Sequence, residues 1–155
     1  MSSLLSCAQI VLARLRLITT ANGYETNAGQ RVDTFWEDLS DAEDFPRLSL
    51  LQPERSYTVK ALINTPGLIR LRKGAELFIS CATAAEINEI DTIARLDAIE
   101  RDVLRACFRS DAGPAWAPTI QHMEWVGSMP MPRQAGGEHA TNDVVIRITW
   151  EQDLV

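Results

Sequence analysis

The sequence predicts a single α+β domain, spanning residues 1–155, in which two helices pack against one mixed or antiparallel sheet. A chain of 155 residues has the length of one ordinary domain. Apolar residues recur at helical spacing in two stretches and alternate at strand spacing near the end of the chain. The resulting order, a helix, several strands, a second helix and two strands, is typical of a sheet with helices packed against it.

The first helix is predicted over residues 3–18. Its apolar positions repeat every three or four residues, which is the pattern of an amphipathic helix; they are Leu4, Ala8, Val11, Leu15 and Ile18. Arg14 and Arg16 are expected on the polar face, near the negative end of the helix dipole. Asn22-Gly23 predicts the end of the helix because both residues tolerate a left-handed backbone.

Five strand candidates follow before the next helix. They cover residues 30–36, 46–52, 57–64, 68–73 and 75–82. Thr65-Pro66-Gly67 is a strong turn signal between the third and the fourth. An acidic stretch, residues 37–44, separates the first two candidates, and we expect a solvated acidic loop there because it lacks the alternating ligands and central glycine of an EF-hand.

The second helix is predicted over residues 86–109. Thr83 and Glu86 have the spacing of a capping box, in which Thr83 would cap the helix. The apolar positions again repeat every three or four residues: Ile87, Ile90, Ile93, Leu96, Ile99, Val103 and Cys107. The remaining face is densely charged, and Gly113-Pro114 is expected to end the segment.

Two closing strands are predicted, over residues 119–126 and 143–151. The second alternates Val144, Ile146, Ile148 and Trp150 with more polar residues, which predicts one buried face. Residues 127–141 are rich in Met, Pro and Gly and exceed the usual hairpin connection. They are therefore expected to form either an interaction loop or a flexible hairpin loop.

Charge and composition exclude several classes of function. The chain is 46% hydrophobic and 23% charged, which is typical of a globular protein. A net charge of −6 disfavours general nucleic-acid binding and binding to anionic membranes. No apolar stretch has the length of a membrane span, and the N-terminal segment lacks the pattern of a signal peptide. Three widely spaced cysteines predict buried reduced thiols rather than a zinc site or disulfides.

Catalytic groups are sparse, and no cofactor or metal is predicted. The only histidines are His122 and His139, and neither a nucleophile elbow nor a glycine-rich phosphate loop is present. An enzyme using Glu124 and His122 stays an alternative, since residues two apart on a strand point the same way. Because Ile120 and Val126 share that predicted face, we favour a satisfied pair in or near the core.

The N-terminal third contains three short segments in a specific order: Ile10 to Leu15, then Ile18-Thr19-Thr20-Ala21-Asn22-Gly23-Tyr24, then Gly29-Gln30-Arg31-Val32. They form an amphipathic helix, a turn of the form I-x-x-A-N-G-Y and a short G-x-R-V strand. This pattern resembles the start of tail terminator and related neck proteins of long-tailed bacteriophages. The order of the later elements, up to the closing strand at residues 144–150, is similar in kind.

The resemblance implies a structural virion protein rather than an enzyme. Such a protein assembles as a homo-oligomer, a hexameric ring, that caps the head-proximal end of the tail tube and stops its polymerisation. Its partners are the tail tube protein and a head-side connector or completion protein, and DNA passes through the lumen without specific binding. The implied location is the virion tail, with assembly in the host cytoplasm. Six copies would carry a formal charge of −36 (6 × −6), and any part of it that faced the channel would repel passing DNA.

Two segments are candidate partner contacts. Met129, Met131 and Arg133 lie in the predicted long loop, and exposed methionines suit adaptable interfaces. Asp38, Asp41 and Glu43 lie in the acidic stretch, which could meet basic loops of a neighbouring subunit. A head-tail completion (neck) protein and a tail-tube subunit stay open as alternative virion parts.

Overall fold

Six strands form one mixed sheet, and both helices pack on the same face of it. The computed structural model describes residues 2–34, 45–51, 56–65, 68–85, 88–131 and 139–154. The helices are α1 (Leu4–Leu15) and α2 (Glu89–Phe108). The strands are β1 (Val32–Thr34), β2 (Arg47–Leu51), β3 (Ser56–Thr65), β4 (Leu68–Ala84), β5 (His122–Pro130) and β6 (His139–Leu154). The predicted α+β class and the single sheet with two helices are confirmed.

The sheet is organised around β4. The strand order is β1-β2-β4-β6-β5, and β3 also pairs with β4. Only β1 and β2 run parallel, and every other pair is antiparallel. On one edge of β4, β3 pairs with its first half and β2 with its second half, while β6 pairs along its whole length. The first half of β4 is therefore paired with β3 on one side and with β6 on the other. We call this three-stranded part of the sheet the arm.

β4 replaces two of the predicted strands. The sequence predicts separate strands over residues 68–73 and 75–82, with a turn at Lys73-Gly74. Gly74 instead lies within the ladder, opposite Tyr57 on one side and Thr149 on the other. The predicted break is wrong because a glycine between two paired strands keeps its place in the ladder, although it weakens a strand in isolation.

One face of the sheet and both helices enclose the core. The alternation predicted for the closing strand is confirmed, since β6 buries Val144, Ile146, Ile148 and Trp150 on one face. Register pairs these residues with the odd-numbered side of β4, where Ala75, Leu77, Ile79 and Cys81 are also buried. The helices complete this core with Val11 and Leu15 from α1 and with Ile99 and Val103 from α2. The opposite face of the sheet, which we call the open face, carries no helix among the described residues.

α1 confirms the predicted first helix, whereas α2 starts later than predicted. Ser3 caps α1 through a reciprocal hydrogen-bond pair with Ser6. In α2 the cap is Asn88, whose side chain accepts a hydrogen bond from the Ile90 amide. Thr83 lies instead in β4, buried and paired with Ala140. The predicted Thr83 cap is wrong because β4 continues through Ala84.

The apolar repeat of the second helix is buried over only part of its length. Ile99, Val103 and Cys107 are buried, as predicted. Ile90 and Ile93 are 72% and 56% exposed, although they belong to the same repeat. The helix also ends at Phe108, before Gly113-Pro114. Glu86 and Ile87, the other residues of the predicted first turn, lie outside the described residues.

The described residues of the predicted long loop, 127–131 and 139–141, lie in or directly after two paired strands. β5 continues to Pro130 and β6 begins at His139, with Met129 opposite Asp143. The register of β5 shifts between Trp125 and Gly127, which is a β-bulge. Because a bulge breaks the alternation of side chains, the sequence pattern fades at Val126 while the strand continues. The first predicted strand is shorter than expected, since residues 28–30 form a 3₁₀ turn before β1.

Candidate interaction surfaces

The segment that resembles tail terminators is a folded turn between α1 and β1. Asn22 donates from its side-chain amide to the carbonyl of Leu17, and Gly23 adopts a φ of +83°, which favours glycine. The side-chain oxygen of Asn27 accepts from the Thr20 amide at 2.9 Å. Each of these residues fixes the backbone, so the motif has a structural role within the fold.

Gly29 holds this turn against the end of α1. Its amide donates to the carbonyl of Ile18 at 2.8 Å. A Cβ atom at Gly29 would lie 2.7 Å from both the backbone nitrogen and the backbone oxygen of Ile18, and closer still to the carbonyl oxygen of Leu15. Only glycine allows this approach of two backbones, and β1 follows directly from it.

Asp102 joins the same turn to α2. Its carboxylate is fully buried and accepts from the Glu25 amide at 3.1 Å, and from the amide and hydroxyl of Thr26 at 2.8 Å each. Arg105 stacks its guanidinium on the Tyr24 ring at 4.9 Å. Sequence reasoning assigned α2's acidic residues to a solvated face and missed Asp102. The available signal was its position beside Val103 and three residues after Ile99, on the edge of the apolar stripe.

Arg14 is buried and binds the end of α2. Its Nε donates to the Pro114 carbonyl at 2.8 Å, and its Nη1 donates to the carbonyls of Ala106 and Arg109 at 2.9 and 2.7 Å. A cation at this position also complements the negative end of the α2 dipole. The prediction that Arg14 lies on the polar face of its own helix is wrong, because these carbonyls need donors inside the protein. We call Arg14, Gly29 and Asp102, with the turn that they hold, the buried junction.

The structure describes two of the six predicted partner-contact residues. Met129 lies in β5 and Met131 directly after it, and they are 47% and 48% exposed. The Met131 amide still donates to the Thr141 carbonyl, so the ladder extends to this point. Arg133, Asp38, Asp41 and Glu43 lie outside the described residues.

Exposed isoleucines of α2 lie at the same end of the molecule as these methionines. α2 starts at Glu89, five residues after β4 ends, and the end of β4 is the end where β5 stops and β6 begins. Glu100 attaches the helix to the hairpin by accepting from the Ser128 hydroxyl at 2.9 Å and the Asn142 amide at 3.0 Å. We call Ile90, Ile93, Met129 and Met131 the hairpin end. The four share one end of the molecule but not one side of the sheet, because Met129 pairs with Asp143 and so lies on the open face, whereas α2 packs on the other face. Exposed apolar side chains at one end of a molecule are candidates for an interaction site.

The open face carries ion pairs. Arg147 donates to Glu124 at 2.8 Å and to Glu76 at 2.9 Å. On the arm, Arg70 pairs with Asp153 and Arg72 pairs with Glu151. The arginines described on this face are therefore matched by carboxylates.

His122 and Glu124 lie on the open face rather than in the core. His122 is exposed, and its Nε2 is 3.9 Å from the Glu124 carboxylate. Ile120 is buried before the strand begins and Val126 is half-exposed at the bulge. The predicted core pair is wrong because β5 starts at His122 and the bulge breaks its alternation at Val126.

The cysteines are buried hydrophobic side chains. All three are free and buried. Burial raises the pKa of the Cys7 thiol to about 11 and that of the Cys107 thiol to about 12, and it raises the pKa of Cys81 further. These thiols stay protonated near neutral pH, and a protonated thiol is a weak nucleophile.

Searches for a metal cluster and a membrane helix give negative results within the described ranges. No three side chains among His, Cys, Asp and Glu gather as metal ligands there. Neither α1 nor α2 combines the length and apolar character that would let a helix cross a membrane.

Two surface clefts border α2. The first, of about 390 Å³, lies at its C-terminal end between Tyr24, Arg105 and Arg109. Its cations are already engaged, since Arg105 lies on Tyr24 and Arg109 pairs with Asp111. The second, of about 400 Å³, is lined mainly by apolar groups of Pro46, Thr83, Ala94, Ala98 and Ile99. We call this second one the α2 cleft.

Together the fold and these surfaces define a small α+β protein whose exposed features are apolar side chains, a cleft and ion pairs. A scan of protein-family models finds none that matches the chain, and a search of curated proteins finds no significant match. The function of this chain is therefore inferred from its own residues and their contacts.

Proposed function

We propose that this chain is a tail terminator: a structural virion subunit that caps the head-proximal end of a tail tube. In this proposal it assembles as a six-fold ring, stops tube polymerisation and joins the tail to a head-side connector or completion protein. Its action is recognition and capping, without a chemical reaction. It acts in the virion tail and is assembled in the host cytoplasm.

The observation that supports this proposal most is the structural role of the resembling motif. Asn22, Gly23 and Gly29 fix the backbone between α1 and β1, and Arg105 of α2 donates to the Gly23 carbonyl. A likeness at these positions is therefore a likeness in how the three elements are joined. Such a likeness is more informative than one between surface residues, because it constrains the whole arrangement of the N-terminal half.

The hairpin end supports a docking role. Burying one large apolar side chain contributes about 1.5–3 kcal/mol, and four such side chains stay exposed there. We assign this surface to the contact with the head-side protein. We also propose that the acidic stretch containing Asp38, Asp41 and Glu43 contacts basic loops of a neighbouring subunit.

The open face supports passage of DNA without binding. A nucleic-acid site needs unneutralised cations that displace phosphate counterions. On the described part of the open face, Arg70, Arg72 and Arg147 each pair with carboxylates. We therefore propose that this face, rather than the helices, lines the lumen of the ring.

Cryo-electron microscopy of the intact particle tests the function. We expect one six-fold ring of this chain where the tail tube meets the head. Copies along the tube would instead indicate a tube subunit, and a twelve-fold ring at the connector would indicate a head completion protein. Complete absence from the particle would reject a structural role, and a lumen lined by unpaired arginines would reject the assignment of the open face.

A substitution at the hairpin end tests the docking assignment. Deleting residues 129–136 is unsuitable, because Met129 belongs to the ladder of β5 and β6. Met131→Glu places a charge on an exposed side chain just beyond the strand. We expect a folded chain and complete tails that do not join heads, measured by counting joined particles in electron micrographs. Leu154→Glu, at a similarly exposed position on the arm, is the matched control. Normal joining by Met131→Glu would contradict the assignment.

A further inference from the structure

The helical wall of the α2 cleft combines two small side chains with two larger ones. Ala94 and Ala98 lie one helical turn apart, and Arg95 and Ile99 complete this wall. Pro46 and Thr83 line the cleft from the sheet. Its volume of about 400 Å³ falls within the roughly 300–1,000 Å³ of sites that enclose small molecules. It therefore has room for a large side chain.

β5 presents two apolar side chains at the edge of the sheet. Trp125 and Val126 are 50% and 47% exposed; Val126 is the unpaired residue of the bulge and Trp125 directly precedes it. The same bulge, and Pro130 with no amide hydrogen, interrupt the free edge of β5, which makes it a poor template for an added strand. A partner at this edge would contact side chains rather than extend the sheet.

The cleft and the β5 edge face opposite directions. Ala98 lines the cleft, whereas Glu100 bonds to Ser128 of β5. These two helix residues point about 200° apart at 3.6 residues per turn. Along the sheet, the cleft is beside β2 and the end of β4, while β5 is the far edge.

We propose that copies of this chain join head to tail, with Trp125 and Val126 of one copy seated in the α2 cleft of the next. Tryptophan anchors in pockets carry much of the binding energy of protein interfaces. A contact between two different surfaces leaves one of each free at the ends, so it repeats from copy to copy and closes into a ring when the rotation allows. This inference rests on the proposed ring and names the surfaces that would form it.

Cysteine cross-linking tests the contact directly. The three native cysteines are buried, so cysteines introduced at the surface can be oxidised selectively. The double variant Ala98→Cys with Val126→Cys should give a ladder of covalent multimers on mild oxidation. A mixture of the two single variants should give dimers only, because each copy then has one thiol. The pair Ala98→Cys with Ile69→Cys, which moves the second thiol to the arm, should give no ladder. Absence of the first ladder would overturn the contact.

Complementation of two blocked variants tests its direction. Trp125→Glu removes the anchor and keeps the cleft, while Ala98→Trp fills the cleft and keeps the anchor. Each should weaken self-association by about tenfold or more, measured by analytical ultracentrifugation. Mixed together they should form a one-to-one dimer and nothing larger. Ile69→Glu should associate like the unmodified chain.

Circular dichroism and thermal unfolding of each variant check that the chain still folds. If Ala98→Trp fails to fold, Trp125→Glu mixed with the unmodified chain keeps the test decisive. Its cleft should accept the anchor of an unmodified copy, so it should occupy the end of each multimer that would otherwise present a free anchor, and it should shorten the multimers. Unchanged multimers would overturn the proposal.

The remaining outcomes separate this contact from the proposed function. A six-fold ring at the tail end that forms equally well with Trp125→Glu would overturn the contact and keep the terminator function. If copies of the chain join head to tail in solution but the chain is missing from the end of the phage tail, the contact would stand and the terminator function would be overturned. If Ala98→Trp blocked binding of the tail tube protein but not self-association, the cleft would belong to the tube, and the proposed contact would be rejected.

Discussion

The buried junction and the hairpin end invert the usual distribution of side chains. At the junction, charged residues are enclosed: Arg14 and Asp102 are fully buried. At the hairpin end, apolar residues are exposed, including Ile90 at 72%. Charged side chains are almost never fully buried without partners, and at the junction each has three hydrogen bonds.

This difference distinguishes residues whose type the fold requires from residues whose type the fold does not explain. Arg14 and Asp102 bond to backbone groups of distant segments, among them the buried carbonyl of Ala106, so their residue types follow from the fold, although Nη2 of Arg14 has no hydrogen-bond partner among the described residues. The apolar residues of the hairpin end gain little from the fold, since water still reaches them. The proposed contact with the head-side protein would account for their residue type.

The largest expected effect is at Arg14. Arg14→Met keeps an apolar stem but removes the donors to the carbonyls of Ala106, Arg109 and Pro114. We expect the free energy of unfolding to fall by about 3–5 kcal/mol, since three hydrogen bonds from a charged group, worth about 1.5–3 kcal/mol each, are lost and the buried Ala106 carbonyl is left without this donor. Urea unfolding followed by circular dichroism measures the loss.

Arg16→Met is the matched control for Arg14. Arg16 follows α1 and is exposed, so its substitution should change the free energy of unfolding by less than about 0.5 kcal/mol. Equal losses for the two variants would break the comparison, because Arg14 would then have no special structural role.

The sequence predicted the fold class well because periodicity reports burial. The regular alternation of β6 and the spacing in α1 each depend on which side of an element is buried, which a single sequence records. The strand boundaries predicted from the sequence are wrong where backbone pairing between distant strands determines them. Gly74 stays within a ladder that only tertiary pairing stabilises, and the bulge at Val126 hides the second half of β5.

The functional surfaces were harder to predict for a related reason. Met129 and Met131 were identified from composition, and the structure exposes both. Ile90 and Ile93 fit the same repeat as Ile99, so no pattern could distinguish interface from core. Arg14 and Asp102 were assigned to solvent because charge alone predicts exposure. Their partners come from distant parts of the chain and appear only after folding.

The loss of stability at alkaline pH tests the burial of the three cysteine thiols. The thiol pKa values are raised in the folded state from an ordinary value of 9.0. A raised pKa means that the associated stability is fully present below the unfolded pKa and is lost as pH rises above it. Between about pH 8 and about pH 9.5, we expect the free energy of unfolding to fall by about 2 kcal/mol for three thiols together.

Urea titrations at both pH values measure this loss. Cys107→Ala should reduce the pH-dependent part by about one third, whatever its effect on stability at neutral pH. A stability that is constant over this range would show that the thiols are not desolvated in the folded chain.

The smallest expected effect, that of Ile93→Ala, sharpens the comparison most, because Ile99 of the same helix serves as its buried reference. Ile99 is 1% exposed and Ile93 is 56% exposed, although both belong to the same apolar repeat. Ile99→Ala should cost about 2–5 kcal/mol by opening a cavity in the core, whereas Ile93→Ala should cost less than about 0.5 kcal/mol. If Ile93→Ala nevertheless reduces the number of tails joined to phage heads, the Ile93 side chain contributes to a contact and not to the fold. A large loss of stability with Ile93→Ala would instead place Ile93 in the core, and the hairpin end would lose one of its four residues.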